Sequence, residues 1–119
     1  MSTQTLEAAN DSQINSVEME ETVARIRSHK GVEAVIIMDR RGAVIQSTLS
    51  EDQSTAHASA LSELTGKASN VVGMLNQNEE DGDDELTFLR LRSKQREVMI
   101  SPEKGFILVV IQNLSLVES

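Results

Sequence analysis

Apolar positions in this chain follow two periods, and the alternation between them sets out an order of elements. From Ser16 the period is helical: Met19, Val23 and Ile26 recur at i, i+4 and i+7 and form one apolar stripe. Ser16 reads as the N-cap, and Glu18, Glu20 and Glu21 fall where carboxylates favour the helix dipole. Arg25, Arg27 and Lys30 lie near the other end, ahead of a terminating Gly31. Ala34 to Met38 is then a continuous apolar run, Asp39 to Gly42 a turn and Ala43 to Thr48 a second strand, which together predict a hairpin. After a connection over Leu49 to Gln53, Ser54 or Thr55 can cap a longer helix. In it Ala58, Leu61, Leu64, Ala68, Val71, Val72 and Leu75 keep the helical period. Gly66 and Gly73 each weaken that helix by about 1 kcal/mol relative to alanine, so tertiary packing must hold it. Ala60, Gly66 and Ala68 leave room for another helix or a sheet to approach closely.

The period changes to two after the loop from Asn76 to Glu85. Leu86 to Ser93 alternates Leu89 and Leu91 with Arg90 and Arg92, which suits a sheet edge or an interface strand. Ser93 to Arg96 turns the chain, a further strand follows, and Pro102 to Gly105 turn it again. The last strand, Phe106 to Ile111, is apolar without interruption and so needs cover on both faces. Ala34 to Met38 makes the same demand, so these two strands belong side by side at the sheet centre. The expected fold is α+β, in the order α-β-β-α-β-β-β. It is a five-stranded antiparallel sheet with helices on opposite faces, the second hairpin strand at one edge and Leu86 to Ser93 at the other. The domain spans residues 17–113. A polar N-terminal tail of residues 1–16, expected to be disordered, precedes it, and a C-terminal tail of residues 114–119 follows.

Composition narrows the function. At 119 residues, 39% of them hydrophobic, the chain suits one domain with one core. The N-terminus has neither the basic start nor the apolar centre of a signal peptide, and no stretch is long and apolar enough for a membrane span, which suggests a cytoplasmic protein. Without cysteine there are no disulfides, thiolate metal sites or cysteine nucleophiles. Of 19 acids, six stand in the run from Glu79 to Glu85, so the remaining 13 nearly balance 11 basic residues and the net charge of -8 belongs to one loop. Neither nucleic acid nor an anionic membrane is an expected partner of such a surface. Two aromatics, Phe88 and Phe106, do not make a base-stacking platform.

Catalytic and metal motifs are weak. His29 and His57 have no triad or metal partners at a suitable spacing, and no metal or cofactor is expected. Gly66 and Lys67 lack the upstream glycine and following hydroxyl of a phosphate loop. With Gly82 at the centre of a calcium loop, Gln77 and Phe88 fall on the first and twelfth ligand positions, which excludes that register. The acidic loop is therefore read as a solvated segment, and the chain as non-enzymatic.

Two segments, KGVEAVIIMDRRGAVIQST (Lys30 to Thr48) and LTFLRLRSKQREVMISPEKGFILVVIQN (Leu86 to Asn113), resemble the roadblock family of dynein light chains. The resemblance runs from Val17 to Asn113. It implies a non-catalytic homodimeric light chain of the cytoplasmic dynein motor, binding the dynein intermediate chain, associated with the cytoskeleton and serving microtubule-based transport. It further implies that two protomers join their edge strands, here Leu86 to Ser93, and pair the helix Thr55 to Leu75 across the dimer. Leu61, Leu64, Ala68, Val72, Leu86, Phe88, Arg90 and Arg92 would then form the dimer interface. On the residues alone, a two-fold pairing of that strand lets Arg90 and Arg92 meet carboxylates of the partner at Asp83 to Glu85, and the alternative is that both arginines are solvated protection for a monomer's edge. The stripe of Met19, Val23 and Ile26 reads first as core; the alternative is a partner-binding surface of Met19, Val23 and Arg27, with Arg25 and Arg27 bordering a groove for a partner helix. Relatives of the family that serve as scaffolds or regulators of small GTPases supply the alternative function.

Overall fold

A computed structural model describes residues 15–76 and 84–118 of the chain. The expected N-terminal tail, apart from Asn15 and Ser16, and most of the acidic loop lie outside these residues. Eight elements follow one another: α1 (Ser16–Arg27), β1 (Val32–Met38), β2 (Val44–Ser47), α2 (Glu51–Leu75), β3 (Leu89–Arg92), β4 (Arg96–Glu103), β5 (Phe106–Asn113) and α3 (Leu114–Glu118). The strands form one antiparallel sheet in the order β2-β1-β5-β4-β3. The two apolar strands are thus adjacent at its centre, as their need for cover on both faces requires.

Alternation along β1 and β5 divides the core into two layers. Ile36, Met38, Ile107 and Val109 face α2 and pack with its Ala58 and with Ile100 of β4. Val35 and Ile37 face the other way and pack with Met19 and Val23 of α1. Opposite cover by the two helices follows from this period-two split.

Four boundaries differ from the sequence expectation, each for a local reason. Asn15, not Ser16, caps α1: its side chain accepts from the Glu18 backbone N–H at 2.8 Å while its own N–H donates to the Glu18 carboxylate at 3.2 Å. Ser50, not Ser54 or Thr55, caps α2, so the helix starts one turn earlier. Ser54 is instead buried inside it, its hydroxyl 2.6 Å from that of Ser47. Pro102 lies within β4 opposite Ile107, which leaves Lys104 and Gly105 as the turn into β5, with Gly105 in the left-handed region at φ 85°. The edge strand keeps only Leu89–Arg92 of the expected Leu86 to Ser93, paired with Glu97 to Ile100; Pro102, which the same register would set opposite Thr87, has no N–H to give a ladder.

Residues after Asn113 were expected as a tail, yet Leu114–Glu118 form α3 and Leu114 is buried. Asn113 explains this. Its side-chain oxygen accepts from the backbone N–H of Ser115 at 3.0 Å and so caps the turn, while its amide donates to Glu33 at 3.0 Å. Gly31, at φ 86°, lies directly beneath Val117, and any Cβ there would collide with it.

Two carboxylates are tied into these turns. Asp39 receives the backbone N–H groups of Ala43 and Arg41, both at 2.9 Å, and these bonds hold its carboxyl below the ordinary range. Glu33 is lowered as well, first by the Arg96 guanidinium at 2.7 Å and then by the Asn113 amide. Arg96 is raised correspondingly. A carboxyl whose folded pKa is depressed stabilises the fold fully above its unfolded pKa and loses that contribution as pH falls through the folded value. Urea midpoints should therefore hold near neutrality and fall once the pH drops below about 4. Glu33→Gln should lower the neutral midpoint and flatten the acid limb; an identical acid limb would show that Glu33 carries none of this dependence.

Candidate self-association surface

β3 is one of the two edge strands, β2 being the other, and among the described residues nothing pairs with its outer side. Leu89 and Leu91 stand opposite Ile100 and Val98 on the face covered by α2, while Arg90 and Arg92 stand opposite Met99 and Glu97 on the face of α1. Leu89 packs on the core, but Leu91 is 40% exposed and Phe88, just ahead of the strand, 47%. An edge that presents apolar side chains beside unpaired backbone groups templates association with another chain.

The long helix adds to this surface. Its last turns lie over the segment that enters β3, where Val72 and Gly73 line a groove of about 590 Å³ with Leu86, Thr87 and Pro102. Val71, Leu75 and the 70% exposed Met74 remain uncovered on the same turns. Scattered apolar residues on a surface are ordinary; a set grouped at the end of one helix beside an open sheet edge marks an interaction surface.

The charged face of β3 is built on a buried carboxylate. Arg90 and Arg92 place their Nε atoms 3.2 and 3.6 Å from the same oxygen of Glu97, whose side chain is only 7% exposed. The arginines thus find a carboxylate, that of Glu97, on the neighbouring strand of their own chain. A carboxylate so buried requires cationic neighbours. Both guanidiniums remain more than half exposed, so their outer N–H groups are open to further contact. The Arg90 guanidinium also lies 5.7 Å from the centroid of the Phe88 ring.

The eight expected interface residues separate accordingly. Phe88, Arg90 and Arg92 are exposed at the edge, and Ala68, Val72 and Leu86 are half-buried beside it. Leu61 and Leu64 are partly buried against the chain's own core, so part of their apolar area is already used. Met19 and Val23 are buried against Val35 and Ile37, as the core reading of their stripe expects, and of the alternative partner-binding set only Arg27 is on the surface. Their stripe faces the sheet because β1 needs cover on that side.

Val71, Met74 and Leu75 are exposed contributors that the expected set lacks. The continuation of Leu64 through Val71 to Leu75 along one flank of α2 was the available signal. Glu97 was missed too, although period-two alternation places it across from Arg92.

No catalytic centre takes shape around the histidines. His29 is exposed just past the end of α1. His57 lies on α2 with Nδ1 2.7 Å from the Gln53 carbonyl, bordering a second groove of about 560 Å³ that Leu49, Val98 and Ile111 also line. Among the described residues, no three histidine or carboxylate side chains converge on a point where a metal could sit.

The five-stranded antiparallel sheet with its helices agrees with comparisons to known proteins. The model of the Roadblock/LC7 domain matches residues 18–112. Among solved structures, a Roadblock/LC7 domain from Streptomyces avermitilis superposes with a TM-score of 0.67 at 14% identity, over 76% of this chain and 74% of that one. MglB from Myxococcus xanthus gives 0.69 at 16% identity, over 88% and 86%. A structure of MglB with a tetrameric arrangement gives 0.68 at 10% identity, over 88% and 79%. At these identities the structures attest the fold, and the sequence match extends over most of the chain. The chain belongs to the Roadblock/LC7 domain family.

Proposed function

We propose that this chain is a non-catalytic docking subunit that works as a homodimer and presents a small GTPase with a two-fold platform of sheet and helices. The observation that carries this reading is the open β3 edge flanked by exposed Phe88 and Leu91, with Val71, Met74 and Leu75 uncovered nearby. Self-pairing would bury that area and close the edge in one step. A solved relative with a tetrameric arrangement supports self-association as a habit of the fold. The resemblance of the strands implies either a motor subunit or a GTPase scaffold. Structural relatives from Streptomyces avermitilis and Myxococcus xanthus support the reading that does not require the motor. Binding would draw on apolar area and shape, since no reacting group is needed.

The motor reading keeps one specific support, the likeness of Leu86 to Asn113 to roadblock light chains. It would place the chain on the cytoskeleton in the cytoplasm with the dynein intermediate chain as partner. One experiment separates the two. The full chain, its mass first measured by light scattering, is immobilised and exposed to lysate of its source cells loaded with a GTP analogue or with GDP. A small GTPase retained in one nucleotide state only is the expected result. Recovery of dynein intermediate and heavy chains regardless of nucleotide would replace it with the motor, and a single-chain mass would remove both.

A further inference from the structure

The edge at β2, on the far side of the sheet, lacks the charges that guard β3. From Gly42 to Ser50 the chain has no charged residue and no proline, two of the devices by which an edge strand discourages further pairing. Among the described residues no strand lies along its outer side. The Thr48 N–H donates to the Val35 carbonyl at 3.0 Å, and the Thr48 hydroxyl accepts from the Val35 N–H at 3.0 Å. The next pair, Ile36 with Ser47, is therefore the one without mutual bonds, and the Ser47 N–H and C=O point away from β1. Ile45 on the same strand is 44% exposed. The register shift between Ile37 and Met38 keeps this edge short, so it offers bonds to only a few residues.

A groove runs beside it. It holds about 500 Å³ next to β2 and the first turns of α2, and Val44, Ser47, Leu49, Ser54 and Thr55 line it. Val44 and Leu49 pack on the core layer under α2 yet are only half-buried. A strand added along β2 sends every second side chain to the α2 side, where a β-branched residue finds these two. Charges stand at the two ends: exposed Arg41 before β2, exposed Glu51 and Asp52 at the start of α2. Arg40 is turned elsewhere, its guanidinium donating to the Glu103 carbonyl at 2.7 Å.

These features specify one occupant. Every pair of neighbouring strands in the sheet is antiparallel, and that ladder is the more stable kind, so an incoming segment starts beside Glu51 and Asp52 and ends beside Arg41. A cation at its start and an anion at its end complement those charges. A second copy competes for the place, because Arg41 to Glu51 has the same order of charges. Pairing of copies through β2 as well as β3 would propagate as an open ribbon, however, so the edge suits a segment of a different protein.

We propose that the β2 edge and its groove take an extended segment of a partner protein as an added antiparallel strand, with a basic residue first, uncharged β-branched residues between and an acidic residue last. Backbone bonds at Ser47 hold the segment, and the groove and the end charges select it. This edge lies opposite the one used for pairing through β3, so its occupancy does not depend on self-association.

The isotope-labelled full chain is titrated with three synthetic peptides: KTVTVTE, the charge-reversed ETVTVTK, and KTVPVTE, whose central proline breaks the ladder. For KTVTVTE, saturable amide shifts confined to Ile45 to Leu49 and the first turns of α2 are expected. ETVTVTK should bind about tenfold more weakly and KTVPVTE not at all. Arg41→Glu should make the first two peptides equal, and Ile45→Lys, which charges the edge at an exposed position, should abolish binding. Equal binding of the first two by the wild type, shifts centred on β3, or no saturable shift overturns this assignment. So does a wild-type chain that grows beyond a dimer and returns to one in Ile45→Lys, since a second copy then holds the edge.

Discussion

Ile36→Ala is expected to lower the free energy of unfolding by about 2–5 kcal/mol, a large part of the roughly 5–15 kcal/mol of a small domain. Ile36 is fully buried in the middle of β1, hydrogen-bonded between β2, where it faces Ser47, and β5, where it faces Val109. Above it Ala58 of α2 is also fully buried. Neither flanking strand can close on a lost side chain without breaking its ladder, and an alanine on the helix has no atoms to extend into the space. The cavity therefore persists, and the cost falls toward the upper end of the range. A urea titration should show a lower midpoint with an unchanged m-value. A loss below about 1 kcal/mol would mean that α2 settles onto the sheet, and the described packing between Ala58 and β1 would then be too loose to matter.

Leu91→Asp should act on association and spare the fold. At 40% exposure Leu91 contributes little to the single-chain core, so its replacement is expected to change unfolding of the monomer by no more than about 1 kcal/mol. In a pair joined through β3 the same position is covered in both copies, and each dimer would bury two carboxylates without cations. An unsatisfied buried group costs about 1–3 kcal/mol or more if charged, and the symmetry doubles it. The dissociation constant should rise about a hundredfold or more. Sedimentation velocity over a dilution series reads this directly, and an undiminished dimer would take β3 out of the interface. Arg90→Glu is a poorer probe. It would leave buried Glu97 with one arginine and a new negative neighbour, mixing folding with association.

Much of the fold was legible because burial imposes a period on the sequence. The unbroken apolar runs of β1 and β5 demanded cover on both faces, and that demand alone put them side by side and sent α1 and α2 to opposite sides. The same logic failed at boundaries. Asn15 and Ser50 each had equally plausible neighbours, Ser16 and Ser54, and which hydroxyl or amide caps a helix depends on where the preceding strand delivers the chain. Asn113 could not be recognised as the cap of α3, since that role depends on Glu33 of the adjacent strand β1, far away in the sequence, to hold its amide.

The candidate surface was legible in part. Alternation in LRLR showed a two-faced edge, and Phe88, Arg90 and Arg92 are exposed there as expected. Met19 and Val23 show the limit: an amphipathic stripe looks the same whether it covers its own sheet or a partner's. Exposure of Met74 and Leu75 likewise depends on how far α2 runs past the sheet, which no local pattern encodes.

By itself, the sequence determined the order of elements, the two central strands and the charge-and-leucine alternation of the edge, because these follow from side-chain polarity at fixed spacings. Only the tertiary structure decided that Glu97 is the buried carboxylate beneath Arg90 and Arg92, that Glu33, Arg96 and Asn113 bind three strands and α3 together, and that the last turns of α2 are left bare. Each of these depends on distance between residues far apart along the chain, and such distances exist only once the sheet has formed.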